Sequence, residues 1–186
     1  MPRQARAYLN KGKTMNQLNP KIKIYIAAPW KNKEEAKAAK KICEDAGLEV
    51  TSRWIELHGD KEKDDPTNIK YFEEEATHDV QDVYRCDILI LLNIQKSEGK
   101  AAETGMAMAW GKPVILVGER SNIFHYLPVP KVSNLNAAIE LIRQWESDYY
   151  ENLAKDSAGL AVEQAAVILE ETVKEANGGD KASIQA

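Results

Sequence analysis

Short apolar runs recur along the chain and are typical of β-strands in a buried sheet. The clearest is Asp87–Asn93, whose uninterrupted aliphatic centre predicts a parallel strand buried on both faces. Four further runs are rich in β-branched or aliphatic residues and are bounded by turn residues. They predict strands over residues 22–28, 48–54, 113–117 and 129–132.

Amphipathic stretches separate these runs and predict helices. Residues 33–46 repeat apolar positions at helical spacing, and Gly47 follows them as a C-terminal cap. Thr67 or Asn68 can act as the N-cap of a second helix that extends to about Arg85. The remaining helices are predicted over residues 101–110, from 134 or 136 to 145 or beyond, and over 157–176.

Strands that alternate with helices predict an α/β fold with a doubly wound parallel sheet. About five strands in a flavodoxin-like arrangement, with an added C-terminal helix, account for these patterns. The flanking segments are polar and carry no periodic apolar positions. We therefore predict a flexible arm over residues 1–20, a folded domain over 21–152, a C-terminal helix over 153–176 and a flexible tail over 177–186.

Composition and charge exclude several classes of partner. The 186 residues carry a formal net charge of -4, which gives no electrostatic reason to bind a nucleic acid polymer. No stretch of the sequence is apolar enough to predict a membrane span. Cys43 and Cys86 lie in or beside apolar runs and are expected to be reduced, buried thiols, which favours a cytoplasmic location. The three histidines lack metal-ligand spacing, so we expect no metal.

The carboxyl ends of the parallel strands are where such sheets bind ligands. One candidate segment leaves the Asp87–Asn93 strand and opens a helix, so that Ser97, Gly99 and the first helical N–H groups can hold an anion. We expect Glu103 in the first turn, where the helix dipole favours the ionised carboxylate that a nucleophile requires. Taken alone, Glu103 is better explained as a residue that only balances the helix dipole.

Two further residues are expected near Glu103. Tyr25 should end the first strand, where its hydroxyl can hold the carboxylate in one rotamer, although it can also be a core residue. Asp79 lies late in the helix before the central strand and can supply a proton to a leaving group, although it can also lie on a solvated helix face.

The chain resembles the nucleoside 2-deoxyribosyltransferase family, which includes 2'-deoxynucleoside 5'-monophosphate N-hydrolases. The matching pieces span roughly residues 22–145. They read I-Y-I-A-A-P-W at the first strand, D-V-Q-D-V-Y-R-C-D-I-L-I-L-L into the central strand, and S-E-G-K-A-A-E-T-G-M-A-M-A-W-G-K-P-V-I-L-V after it. The last piece is the most specific, because a small-x-x-E-x-G-x-A segment there follows a D-I-L-I strand.

The resemblance implies a role for each matching residue. Glu103 matches the nucleophile that attacks the anomeric carbon, Asp79 the acid that assists the departing base, and Tyr25 the residue that positions the nucleophile. Asn122 resembles an asparagine that the transferases lend to the pocket of a neighbouring subunit. This match, together with the apolar last helix, implies a homodimer or higher homo-oligomer.

Substrate-binding residues are expected on both sides of the nucleophile. Transferases tend to carry an acid at the position of Ser97, whereas the monophosphate hydrolases carry serine, which suits a phosphate. Trp30 follows Ala28 and the first strand, where its ring can stack on a base, with packing as the alternative.

The resulting hypothesis is a cofactor-independent cleavage of the N-glycosidic bond of a nucleoside or nucleotide through a covalent glycosyl-Glu103 intermediate. Whether water or a second base resolves the intermediate stays open, so hydrolase and transferase are both retained. A non-catalytic nucleotide-binding or sensing module on the same fold is the main alternative. An oligomerisation scaffold, with the last helix as its interface, is a third.

Overall fold

The computed structural model describes residues 21–57, residues 67–152 and the single positions 155, 164 and 167. The predicted arm over residues 1–20 and the tail over 177–186 lie outside the described residues, as does most of the predicted helix over 153–176. The chain divides into two compact units, Met1–Trp145 and Glu146–Ala186. The sheet and the site described below belong to the first unit.

Five parallel strands form one sheet within the described residues, as the alternation of apolar runs and helices predicts. The strand order is β2-β1-β3-β4-β5, which is the flavodoxin-like order. The aliphatic residues of β1 and β3 are almost fully buried because helices cover both faces of the sheet. The strands are β1 (Lys23–Ala27), β2 (Glu49–Val50), β3 (Ile88–Asn93), β4 (Val114–Gly118) and β5 (Lys131–Val132).

Three helices of the first unit connect successive strands, and a fourth follows β5. They are α1 (Lys33–Asp45), α2 (Ile69–Arg85), α3 (Glu98–Ala109) and α4, which is helical over residues 135–145. Two predicted helix ends are confirmed: the side chain of Asn68 accepts a hydrogen bond from the Tyr71 amide, and Gly47 adopts a φ of 86° after α1. In the second unit, residues 146–152 and the positions 155, 164 and 167 are helical.

Strand β2 is shorter than the predicted run over residues 48–54. The Ser52 hydroxyl accepts a hydrogen bond from the Ile26 amide at 2.6 Å and therefore takes the place of a backbone ladder partner. The chain then enters a 3-10 turn over Arg53–Glu56. A serine side chain can compete with the backbone for the same N–H donor and so end a strand. The apolar pattern alone does not show this competition, and the predicted strand was therefore too long.

Helix α3 begins earlier than predicted. Its first residue is Glu98 rather than residue 101, because the Ser97 side chain accepts a hydrogen bond from the Lys100 amide and acts as the N-cap. Glu103 consequently lies in the second turn of α3, which corrects its predicted place in the first turn. The helix dipole acts mainly within the first turn, so it stabilises the Glu103 carboxylate less than predicted.

Two buried charges fix helix α2 in place. Asp82 is fully buried and accepts hydrogen bonds from both the backbone amide and the Nε of Arg53, each at 3.0 Å. At the same, C-terminal end of the helix, the Lys112 ammonium donates to the carbonyls of Tyr84 and Cys86, at 2.7 and 2.6 Å. A cation at the C-terminus of a helix also complements its dipole. These contacts set the position of Asp79, which lies less than one turn before Asp82.

No helix within the described ranges is long and apolar enough to cross a membrane. Cys43 and Cys86 are both free and buried, as predicted. Burial raises the pKa of each thiol to about 12, so neither is a reactive thiolate near neutral pH.

Candidate active site

The candidate site lies where β1 and β3 meet helices α2 and α3. Tyr25 is the central residue of β1 and pairs with Leu89 of β3, so it does not end the strand as predicted. Its side chain is fully buried, and its hydroxyl reaches Glu103 on helix α3. The predicted proximity of Tyr25 and Glu103 is confirmed.

A tyrosine hydroxyl and two carboxylates meet at this point. The Tyr25 hydroxyl donates a hydrogen bond to Oε1 of Glu103 at 2.9 Å, and it lies 3.5 Å from Oδ1 of Asp79. The three residues come from β1, α3 and α2, so the tertiary fold assembles them from distant parts of the chain. The predicted group of Tyr25, Asp79 and Glu103 is thus brought together.

The environment of Glu103 favours its protonated form. Burial is the largest cause and the charge of Asp79 adds to it, and together they raise the pKa of Glu103 to about 8. The hydrogen bond from Tyr25 and the charge of Lys100 act in the opposite direction but do not cancel the effect. Burial, followed by the charges of Glu103 and Asp79, raises the pKa of Tyr25 well above its usual value, so the hydroxyl remains a donor.

One oxygen of Glu103 is left without a hydrogen-bond partner among the described residues. Glu103 is only 8% exposed, and its Oε2 is buried while its Oε1 accepts from Tyr25. An unpartnered buried carboxylate oxygen costs stability and is therefore characteristic of a functional group. Its position next to a cavity gives it access to a ligand.

A cavity of about 170 Å³ adjoins the two carboxylates. Six of the eight predicted site residues line it, namely Ala28, Trp30, Asp79, Ser97, Gly99 and Glu103. Tyr25 does not line the cavity and contacts this group through its hydrogen bond to Glu103. Six further residues complete the wall: Trp54, Leu57, Tyr71, Phe72, Glu75 and Lys100.

Aromatic rings form one side of this cavity. The rings of Trp30 and Trp54 lie 6.1 Å apart and are tilted by 41°, and Tyr71 and Phe72 face each other edge-on at 5.6 Å. Both tryptophans lie in 3-10 turns after their strands rather than at the strand ends. Aromatic walls suit the flat face of a nucleobase.

Asn122, the eighth predicted site residue, is not in this cavity. Its side chain accepts a hydrogen bond from the Phe124 amide and caps the 3-10 turn Ile123–Tyr126. It lines a second and larger cavity of about 910 Å³, beside the opposite face of α3, which also contains His125. Asn122 and Glu103 therefore do not share a cavity within the first unit.

Lys100 is a residue of the site that the sequence reasoning missed. It is 5% exposed and donates to Oδ1 of Asn93 and to the Gln95 carbonyl, both at 2.6 Å. Burial lowers its pKa. It lies three positions before Glu103 on the same helix, and this spacing was the available signal that the two share a face.

Metal-ligand clusters are not found among residues 21–57 and 67–152: no three His, Cys, Asp or Glu side chains there are arranged to hold an ion. His78 contacts Glu75, and His125 accepts a hydrogen bond from the Ser121 amide. His58 lies outside the described residues.

Comparison with known proteins identifies the family. The family model of nucleoside 2-deoxyribosyltransferases matches residues 24–170, so the chain belongs to that family. A search of curated proteins gives no significant match.

Solved structures also match this chain, and one from Enterococcus faecalis superposes well enough to indicate a shared fold. A conserved protein from Enterococcus faecalis superposes with a TM-score of 0.50 at 17% identity, covering 67% of this chain and 99% of that one. A 2-deoxyribosyltransferase from Bacillus psychrosaccharolyticus gives 0.47 at 24% identity, covering 63% and 90%. A CMP N-glycosidase from Clostridium botulinum gives 0.44 at 18% identity, covering 65% and 98%.

Proposed function

We propose that the protein cleaves the N-glycosidic bond of a (2'-deoxy)nucleoside or its 5'-monophosphate, with Glu103 as the nucleophile. The observation that carries the proposal is the contact of Tyr25 with both Glu103 and Asp79, at 2.9 and 3.5 Å, beside an aromatic cavity. Membership of the nucleoside 2-deoxyribosyltransferase family supports the same reaction class.

In the first step, Oε2 of Glu103 attacks the anomeric carbon and forms a glycosyl ester. The bond between that carbon and the base breaks, and Asp79 gives its proton to the departing base nitrogen. Tyr25 holds the other oxygen of Glu103 and so fixes the direction of attack. In the second step, water or another base attacks the same carbon, and the Asp79 carboxylate takes the proton that this acceptor loses. Glu103 is released, with overall retention of configuration.

This sequence of steps requires one proton on the pair of carboxylates. The raised pKa of Glu103, about 8, keeps a proton on that carboxyl near neutral pH. The Tyr25 hydroxyl contacts both carboxylates, so it can accept the proton of Glu103 while it donates its own to Asp79. That shift leaves Glu103 as the anion and Asp79 as the acid, which is the division of roles that the reaction needs.

The cavity supports an orientation for the substrate. The base would lie against Trp30 and the other aromatic rings, while the sugar would lie over Glu103. The 5' end would point to Ser97 and Gly99, at the N-terminus of α3, where backbone N–H groups favour an anion. Because Ser97 carries no charge, this end of the cavity accepts a phosphate, and we propose the 5'-monophosphate as the preferred substrate.

Hydrolysis and base exchange use the same residues and differ only in the acceptor. The 170 Å³ cavity is open to solvent at its rim, where Phe72 is 37% exposed, so both water and a second base have access. Free base released without an added acceptor base indicates hydrolysis. Exchange of a labelled base at a rate above hydrolysis indicates transfer.

A panel experiment tests the proposed function. The protein is incubated with ribo- and deoxyribonucleosides and their 5'-monophosphates, and free base is followed by chromatography. We expect release of base from at least one deoxyribonucleotide, and loss of this release in Glu103→Gln. If nucleotides bind but none is cleaved by the parent protein, the non-catalytic sensing module is the correct description.

The homo-oligomer also remains a proposal. Asn122 lies in a solvent-accessible turn in which Ile123, Phe124 and Tyr126 are each more than half exposed. A partner that covers these apolar side chains would bring Asn122 into an interface. Cytoplasmic location stays a prediction from the reduced, buried cysteines.

A further inference from the structure

One stripe of helix α2 forms a wall of the small cavity. Tyr71, Glu75 and Asp79 recur at four-residue spacing and all line it. Residues at this spacing lie one above another, with a rise of about 5.4 Å per turn. Asp79 adjoins the reacting carboxylate, and Glu75 lies one turn from it towards the N-terminus of α2, on the same wall of the cavity.

Glu75 is a partly buried carboxylate with capacity to accept further hydrogen bonds. Its side chain is 21% exposed, and Oε1 lies 3.3 Å from Nδ1 of His78. An ionised carboxylate only accepts hydrogen bonds, and its two oxygens together accept about four. The residue has no role in the steps proposed above, which use Tyr25, Asp79 and Glu103.

The chemistry of a carboxylate determines which base edges it can bind. Cytosine, adenine and guanine each present an exocyclic amino group that donates to an acceptor. Uracil and thymine instead present carbonyl oxygens on both sides of one ring N–H, and these oxygens repel a carboxylate. The nearby rings of Trp30 and Tyr71 do not discriminate between bases, because every base has a face that stacks.

We propose that Glu75 reads the base and selects nucleotides whose base carries an exocyclic amino group. This inference rests on the proposed function, since it assigns the part of the cavity beside Glu75 to the leaving base. The buried, unpartnered Oε2 of Glu103 independently marks the inner end of the same cavity as the place where a ligand binds.

Two matched substrate pairs test the inference. The 5'-monophosphates of deoxycytidine and deoxyuridine differ at C4, and those of deoxyadenosine and deoxyinosine differ at C6. We expect kcat/KM to favour the amino member of at least one pair by roughly tenfold or more, because a site built to accept a hydrogen bond rejects an analogue without the donor. Glu75→Gln should reduce that ratio at least severalfold, since an amide can also donate to a carbonyl oxygen.

Glu74→Gln is the matched control. It makes the same chemical change at the neighbouring position, where the side chain is 59% exposed and does not line the cavity. The control should keep the parent ratio. A parent enzyme that favours the oxo member of both pairs, or a ratio that Glu75→Gln leaves unchanged, overturns the role of Glu75.

Binding separates this inference from the proposed reaction. Calorimetry of the same four nucleotides with Glu103→Gln reports recognition without turnover. Tighter binding of an amino member, lost on adding Glu75→Gln, supports base reading even if the parent protein cleaves none of them. Cleavage without any preference for an amino member supports the reaction and overturns the inference.

Discussion

The Tyr25 hydroxyl and Oε1 of Glu103 are 2.9 Å apart although 78 positions separate the two residues in the sequence. Strand β1 and helix α3 supply them, and the parallel order of the sheet brings both to one side of the molecule. This hydrogen bond connects the core of the fold to the proposed chemistry, because it is made by a side chain that is itself fully buried.

Replacement of Tyr25 tests the importance of this bond. Tyr25→Phe removes the hydroxyl but keeps the ring that packs in the core. We expect kcat to fall about 10- to 100-fold, which corresponds to the loss of one hydrogen bond to a charged group. Steady-state kinetics and thermal unfolding measure the two effects separately.

Tyr84→Phe is the control for this substitution, because the Tyr84 side chain is exposed and does not line the small cavity. Its activity should equal that of the parent. Parent-like turnover in Tyr25→Phe would show that Glu103 does not need the hydroxyl for positioning.

The sheet and most helices could be predicted because their signals are local. The aliphatic run of β3 and the cap at Asn68 each depend on neighbouring residues alone. The start of α3 was wrong because Ser97 was interpreted as a ligand for an anion, whereas its first role is to cap the helix. A capping side chain and an anion ligand use the same residue types.

The site was predicted less completely than the fold. Tyr25, Asp79 and Glu103 were expected close together from the topology of the strands and helices, and the resemblance to a family supplied their roles. Lys100 and Glu75 were missed because their contribution depends on which helix faces border the cavity. Glu75 and Asp79 are four residues apart and therefore share a helix face. This spacing could place Glu75 at the cavity only after Asp79 was known to face the site.

The pH dependence of stability should reveal the titration of the buried Glu103 carboxylate. Burial and Asp79 raise the pKa of Glu103 from 4.5 to about 8, so between these values the folded protein binds more protons than the unfolded chain. The free energy of unfolding should therefore decrease as pH rises through that window, by an amount on the order of 3 kcal/mol.

Urea titrations between pH 5 and 8.5 measure this effect. Glu103→Gln has no carboxylate at the position, so its free energy of unfolding should not decrease over this pH range. This variant should therefore be more stable than the parent at pH 8.5. Glu98→Gln, an exposed residue of the same helix, should retain it. If the free energy of unfolding depends on pH in the same way for the parent and Glu103→Gln, the pKa of Glu103 is not raised.

Substitution of Ser97 tests the proposed preference for a phosphate. Ser97→Asp keeps a residue that caps helices well but adds a negative charge beside the 5' end of the substrate. We expect kcat/KM for the 5'-monophosphate to fall about tenfold or more relative to that for the nucleoside. The ratio of the two kcat/KM values is the quantity to measure.

Ser97→Asn supplies the uncharged control, because asparagine is an equally good N-cap. It should change the ratio much less than Ser97→Asp. If the parent enzyme already uses the nucleoside as well as its monophosphate, the phosphate is not recognised at this position.

Mixing of two inactive variants tests the role of Asn122 in a neighbouring subunit. Glu103→Gln and Asn122→Ala should each be impaired alone. In a two-fold dimer with shared sites, an equal mixture should regain about a quarter of parental activity, because each mixed dimer then contains one intact site. Light scattering should give at least twice the chain mass of 20.8 kDa. A monomer with full activity, or a mixture with no recovery, would exclude a shared site.

The most direct test of the nucleophile is the mass of the enzyme trapped during turnover. Rapid acid quenching of the parent protein with a cleaved nucleotide, followed by intact-mass and peptide analysis, should show one sugar or sugar phosphate on the peptide that contains Glu103. Glu98→Gln should give the same adduct, and Glu103→Gln should give none. Rapid turnover with no adduct at any quench time, or an adduct on another residue, would contradict the assignment of Glu103 as the nucleophile.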